Sequence, residues 1–161
     1  MSDVSNTCIR SASKSNAGWK KRSSGSIRKS GTDPLEMMPD TNALSAMADD
    51  DLGLAAVLTR AEQLAIPVIV LGEYRHGIAQ SRHRASYENW LQKLLNDCLV
   101  LDIQEPTTHY YAEISLELTR KGKPIPTNDL WIAALCRQHS LPLLSRDRHF
   151  DLVAGIKRIG W

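Results

Sequence analysis

The chain has 161 residues, 42% of them hydrophobic and 24% charged, which is the size of about one domain and the balance of an ordinary soluble globular fold. That composition excludes collagen-like, coiled-coil and disulfide-scaffold classes, and no apolar run approaches the ~20 residues a membrane span needs. The formal net charge of +2 divides unevenly: residues 1–32 carry seven Lys/Arg against the single acid Asp3, and the rest of the chain is net acidic.

Taken in chain order, residues 1–34 read as a basic tail with nine serines and only scattered apolar residues. Such a segment buries too little surface to offset its ordering entropy. Three readings stand for it: a solvated disordered arm, a basic arm holding nucleic-acid phosphates, or an over-long start with translation beginning at Met37 or Met38. Cys8, Cys98 and Cys136 are odd in number and lack metal-ligand spacing, so free thiols in a reducing cytosol are expected. The N-terminus carries no apolar core of a signal peptide, and a cytoplasmic protein is expected.

From Leu35 to the C-terminus, apolar runs alternate with helical patterns. Leu35–Met38 is a short strand ended by Pro39 and Asp40. Helices are expected over 41–48 and 52–64, the second with Leu54, Val57, Leu58, Ala61 and Leu64 on one face. The β-branched run Ile66–Leu71 has no polar alternation and predicts a strand buried on both faces of a parallel sheet. Gly72 and Glu73 then open another helix. Residues 84–97 carry a helical stripe of Tyr87, Trp90, Leu91, Leu94 and Leu95. Cys98–Ile103 reads as a third strand, and a helix from Pro106 to Arg120 turns Tyr111, Ile114 and Leu118 inward. Thr127 is a candidate N-cap for a helix through His139. Leu141–Ser145 and Lys157–Ile159 complete the strands. This alternation predicts an α/β domain over 35–161 with a mostly parallel sheet.

Ligands of open α/β sheets bind outside the carboxyl ends of the strands. Asp40, Glu73 and Asp147 follow strands one, two and four, and Asp129 stands in the first turn of the helix near Thr127. Singly, each has a bland reading. Asp40 can cap a helix, Asp129 can answer a helix dipole, Asp147 can sit in a turn, and Glu73 can face solvent. Together they can converge on one sheet edge. Clustered carboxylates repel and need a cation. All-oxygen ligation suits Mg²⁺ or Mn²⁺, and such a centre can polarise a phosphate oxygen and lower the pKa of an attacking water.

Four segments carry a resemblance. Pro39-Asp40-Thr41-Asn42-Ala43-Leu44-Ser45 resembles the opening motif of PIN-domain ribonucleases. Ile66 to Ile78, with Gly72-Glu73-Tyr74, resembles their second motif. Pro126-Thr127-Asn128-Asp129-Leu130-Trp131 resembles the third, and Leu144-Ser145-Arg146-Asp147-Arg148-His149-Phe150-Asp151 the fourth. The resemblance covers roughly residues 35–161, and a small single-domain chain of this kind is similar to VapC toxins of toxin–antitoxin pairs. It implies a PIN-like three-layer α/β/α sandwich and a Mg²⁺- or Mn²⁺-dependent endoribonuclease. It also implies a VapB-like antitoxin that blocks the site, and a homodimer. Asp40, Glu73, Asp129 and Asp147 are then the metal carboxylates, with Asn42 and Asn128 as supporting groups; Asp151 is open between a further supporting group and a helix cap after Phe150. The basic tail is absent from the compact family.

The expected reaction is hydrolysis of single-stranded RNA, from tRNA or mRNA, leaving a 5′-phosphate and a 3′-hydroxyl. Arg75 and Arg146, beside Glu73 and Asp147, are the leading cations to offset an acidic rim against RNA. The alternative is a PIN-like fold without activity that serves as an RNA- or antitoxin-binding scaffold. A phosphotransfer receiver is disfavoured, because Arg146-Asp147 stands where its strand-end lysine belongs.

Overall fold

The computed structural model describes residues 35–161; the basic tail, and each of its three readings, lies outside the described residues. Among the described residues, five short strands form one sheet: β1 (Leu35–Pro39), β2 (Ala61–Pro67), β3 (Leu99–Leu101), β4 (Leu143–Leu144) and β5 (Arg158–Ile159). Their order is β3-β2-β1-β4-β5, with every neighbouring pair parallel. Six α-helices connect them: α1 (Thr41–Ala48), α2 (Leu52–Leu58), α3 (Val68–Ile78), α4 (Arg84–Leu95), α5 (Glu105–Arg120) and α6 (Thr127–His139). A 3₁₀ turn over Arg148–Leu152 precedes β5.

The strand order fixes the layers. From β1 the chain steps outward through β2 to β3, then returns to β4 on the other side of β1. Right-handed crossovers put the outward connections on one face of the sheet and the return on the other. α1, α3 and α4 accordingly pack on one another, and α5 packs on α6, which gives a three-layer α/β/α sandwich. The order reverses between β1 and β4, and a ligand crevice opens at such a point, beyond the carboxyl ends of the strands.

β1 is the centre of the core. Met37 and Met38 are fully buried, as are Ile66 of β2 and Leu143 and Leu144 of β4. The β1 neighbour β4 lies more than a hundred residues away in sequence, so the central pairing is long-range. Ile114 and Leu118 of α5, and Leu91 and Leu94 of α4, bury the faces expected of them. Each fully buried aliphatic side chain contributes about 1.5–3 kcal/mol of transfer free energy.

Three boundaries differ from the sequence expectation. The helix expected over 52–64 ends at Leu58, and β2 runs from Ala61 to Pro67. The run Ile66–Leu71 is therefore not a strand: Pro67 closes β2, and Val68–Leu71 is the first turn of α3. Pro67 has an extended backbone, at φ −62° and ψ 140°, and its missing N–H costs nothing at a strand end that becomes a helix start. A helix buried on one side reads like a buried strand when only four residues are compared. Thr127 is the first residue of α6 rather than its cap, and Pro126 holds the cap position without a side-chain bond.

Candidate active site

Asp40 leaves the end of β1 and caps α1, its Oδ1 accepting from the Ala43 amide at 2.7 Å. The bland reading of this residue is thus correct, but incomplete. Its Oδ2 also accepts from the Ser145 hydroxyl and from Asn42 Nδ2 at 3.2 Å. Asp40 is almost wholly buried. Burial pushes its carboxyl pKa up, bonds from Ser145, Ala43 and Asn42 pull it back, and the charge of Asp147 raises it further.

Glu73 lies in the second turn of α3, not at its start, as Val68 begins the helix. Its Oε2 accepts from the Thr41 hydroxyl and its Oε1 from Asn128 Nδ2 at 2.7 Å. Asp129 is the third residue of α6, where the positive helix end favours a carboxylate. Its pKa is nevertheless raised, by burial first; His149 opposes that rise, and Glu73, Asp147 and Asp40 add to it. Asp147 caps the 3₁₀ turn by accepting from the His149 amide at 3.1 Å.

His149 bridges the last two acids. Its Nδ1 lies 2.6 Å from Asp147 Oδ1 and its Nε2 lies 3.1 Å from Asp129 Oδ2. Both approaches are close in distance, and neither is in line for a hydrogen bond. Ser145 performs a similar office on the other side, donating to Asp40 while accepting from the Asp147 amide at 2.9 Å. The four acids thus belong to one circuit of contacts and sequence neighbours. Asp40 is joined through Ser145 to Asp147, through the close approaches of His149 to Asp129, through its sequence neighbour Asn128 to Glu73, and through Thr41 to Asp40, which it follows in sequence.

Sequence reasoning assigned no role to Thr41, Ser145 or His149. The available signal was adjacency, since Thr41 follows Asp40 while Ser145 and His149 each stand two residues from Asp147. Of the supporting residues, Asn42 and Asn128 touch the carboxylates. Arg75, Arg146 and Asp151 turn elsewhere. Arg75 pairs with Glu88 at 3.1 Å. Arg146 reaches Asp51 at 2.7 Å and lies 4.6 Å above the Trp161 ring. Asp151 takes Arg158 bidentately at 2.7 and 2.9 Å. Arg158, which the sequence did not single out, also donates to the Ser145 carbonyl at 3.0 Å and feels the charge of Asp147.

The four acids offer only oxygen, which suits a hard divalent cation, and their mutual repulsion is what a cation would relieve. Among the described residues, no three His, Cys, Asp or Glu side chains surround one point closely enough to grip an ion as they stand. The imidazole between Asp129 and Asp147 takes oxygens that a cation would use. The set therefore fits a largely hydrated cation, held by one or two carboxylates directly and by the others through water. Two depressions meet at Glu73: one of about 550 Å³ bordered by Val68, Ile69, Gly72, His76 and Asn128, and one of about 320 Å³ on the α1 side.

The model of the PIN domain matches residues 37–156. Ribonuclease VapC2 of Rickettsia felis is 32% identical over 129 residues, covering 77% of this chain and 96% of that protein. Ribonuclease VapC5 of Mycobacterium tuberculosis is 28% identical, covering 58% of this chain and 71% of its own. Among solved structures, VapBC2 of Rickettsia felis bound to a promoter DNA fragment superposes with a TM-score of 0.69 at 25% identity, over 79% of this chain and 99% of that one. FitAcB of Neisseria gonorrhoeae gives a TM-score of 0.69 at 26% identity, over 76% and 96%. With its sandwich, its four acids at the reversal point of the sheet and this match over most of its length, the chain belongs to the PIN-domain family.

Proposed function

We propose that the chain is a Mg²⁺- or Mn²⁺-dependent endoribonuclease, the toxin of a type II toxin–antitoxin pair, acting on single-stranded RNA in the cytoplasm. The observation that carries this reading is the circuit joining Asp40, Glu73, Asp129 and Asp147 at the carboxyl edge of a parallel sheet. The likeness to VapC ribonucleases supports it. The neighbouring VapBC complexes support a VapB-like antitoxin as partner. A homodimer, a tRNA or mRNA target and a separate basic tail over 1–34 belong to the same proposal.

Asp40, Glu73, Asp129 and Asp147 would hold the cation, which when bound polarises a phosphate oxygen and lowers the pKa of an attacking water. The remaining chemistry is positional. Ser145 and the Ala43 amide fix both oxygens of Asp40. Thr41 and Asn128 fix both oxygens of Glu73. Pinned rotamers hold the acids in place, so little ordering remains to be done when the substrate arrives. Hydrolysis by in-line attack leaves a 5′-phosphate and a 3′-hydroxyl.

The test is incubation of purified, antitoxin-free protein with total RNA, with Mg²⁺ or Mn²⁺, then with chelator, beside Asp129→Asn. Discrete cleavage that requires both metal and Asp129 is expected. Absence of cleavage by folded, metal-loaded protein overturns the activity and leaves an RNA- or antitoxin-binding scaffold.

A further inference from the structure

Asp147 and His149 stand on the loop from Ser145 to Asp151, which runs from the end of β4 into the 3₁₀ turn. Bonds in a 3₁₀ turn have poorer geometry than those of an α-helix. The placement of these two side chains therefore depends on a tie from outside the loop.

Arg158 of β5 supplies that tie. Its Nη1 donates to the Ser145 carbonyl at 3.0 Å, where the loop begins. Its Nε and Nη2 donate to the two oxygens of Asp151 at 2.7 and 2.9 Å, where the loop ends. A guanidinium carries its donors in a rigid planar fork, so one group holds the two ends of the loop at a set separation. The charge of Arg158 is favoured by the Asp151 bond first; burial opposes it, and the charges of Asp151 and Asp147 add to it.

The residue gripped at the start of the loop is the one that seats Asp40. Ser145 is fully buried, and every polar group it has is in use. Its N–H donates to the Ile159 carbonyl at 3.0 Å, and its carbonyl accepts from Arg158. Its hydroxyl donates to Asp40 and accepts from the Asp147 amide. Arg158 thus completes the bonding of the residue that joins two of the four acids.

Gly160 is an independent sign of the same arrangement. Its backbone lies outside the left-handed region, so conformation does not demand a glycine there. Space does: a Cβ at this position would lie 3.0 Å from Arg158 Nη1, tighter than nine in ten real Cβ contacts. A side chain at 160 would press the guanidinium off the Ser145 carbonyl. Stability alone does not account for the ion pair, because Asp151 is half exposed and exposed pairs contribute little. What a bidentate fork adds is fixed geometry.

We propose that Arg158 is a positioning residue, whose clasp on Ser145 and Asp151 holds the loop so that Asp147 and His149 stand in place beside Asp40 and Asp129 for a divalent cation. Asp151 then acts through Arg158. The proposal rests on the reading of the four acids as cation ligands.

The experiment compares the full unaltered chain with Arg158→Met, Arg158→Lys and Gly160→Val. It measures melting temperature, amide hydrogen exchange without metal, and Mn²⁺ affinity by calorimetry. Melting temperatures should fall by no more than a few degrees. The Asp147 and His149 amides, bonded to Ser145 Oγ and Asp147 Oδ1, should exchange about tenfold faster in Arg158→Met and Gly160→Val. That rise is read relative to the amides of Ile114 and Leu118 in α5, which report global opening. Mn²⁺ affinity should fall about tenfold in the same two variants, the lower end of the loss when a group behind a ligand is removed. Arg158→Lys keeps the charge without the fork and should lose nearly as much. Unchanged relative exchange in Arg158→Met overturns the clasp. Faster exchange at unchanged Mn²⁺ affinity leaves a purely structural tie and overturns the positioning role. Full recovery in Arg158→Lys assigns the effect to charge and overturns the fork. Absence of Mn²⁺ binding by the unaltered chain overturns the cation reading and the positioning role with it, and the exchange measurement still shows whether the clasp orders the loop.

Discussion

Two groups of carboxylates in this chain have opposite electrostatics. Asp51 caps α2 and meets Arg146, Glu117 meets Arg137, and Asp151 meets Arg158; in each the pKa is drawn below its usual value by those bonds. Asp40 and Asp129 are pushed above theirs, by burial first and with other acids adding to it, although hydrogen bonds oppose the rise at Asp40 and His149 opposes it at Asp129. The first group holds the scaffold together. The second stores repulsion where the sheet order reverses. Perturbed acids gathered in a crevice mark a functional site better than acids as such. The protein has both kinds within about a dozen residues of each other, as Asp40 and Asp51 illustrate.

The sign of the pH effect separates the groups. A raised folded-state pKa means that the folded chain holds its proton longer than the unfolded one, so Asp40 and Asp129 lower stability as pH rises from 3.8 to their raised values. A lowered pKa acts oppositely, and Asp51, Glu117 and Asp151 give up their contribution as pH falls below the unfolded values of 3.8, 4.5 and 3.8.

The sharpest way to break the contrast is Asp129→Asn. Cleavage should fall on the order of a thousandfold, as expected when a pre-placed charge is lost from such a centre. The metal-free protein should melt a few degrees higher, because one repelling charge has gone. Parallel rate and melting measurements check both directions, and a loss of stability would place Asp129 with the scaffold acids. Ser145→Ala should weaken divalent-cation binding by about 10–100-fold in a calorimetric titration, since it frees Asp40 and the Asp147 amide together. Arg137→Met should cost roughly 1–2 kcal/mol at neutral pH, discounted for the solvent on Glu117, and should flatten the acid limb of a melting-temperature profile. The smallest effect is a gain: Gly72→Ala should add about 0.5–1 kcal/mol in a denaturant titration, as its new methyl meets open space.

The positions of the four acids were legible because strand ends in a parallel sheet are readable from apolar runs, and each acid stood close after one or at the start of a helix. The second strand was the exception. Its true residues, Ala61–Pro67, begin with Ala61, Glu62 and Gln63, which carry no β signal, whereas the β-branched residues after Pro67 lie in a helix buried on one side. Tertiary contact decided that boundary against local propensity. The circuit itself was not legible. Ser145 and His149 act through contacts to Asp40 and Asp129 across 105 and 20 residues, and no local pattern encodes those distances. Arg75 and Arg146 pair with Glu88 and Asp51 rather than with the acids beside them in sequence, since nearness in sequence does not aim a flexible side chain.

The tie between Ser145 and Asp40 has a bearing on synthesis. β1 leaves the ribosome first, and its neighbour β4 and the serine that seats Asp40 follow only after a span of 105 residues. At about 5–20 residues per second, several seconds separate the two. The nascent chain therefore carries its first acid unseated throughout that interval. The cluster of acids at the sheet edge is thereby kept from assembling while the intervening residues are being made.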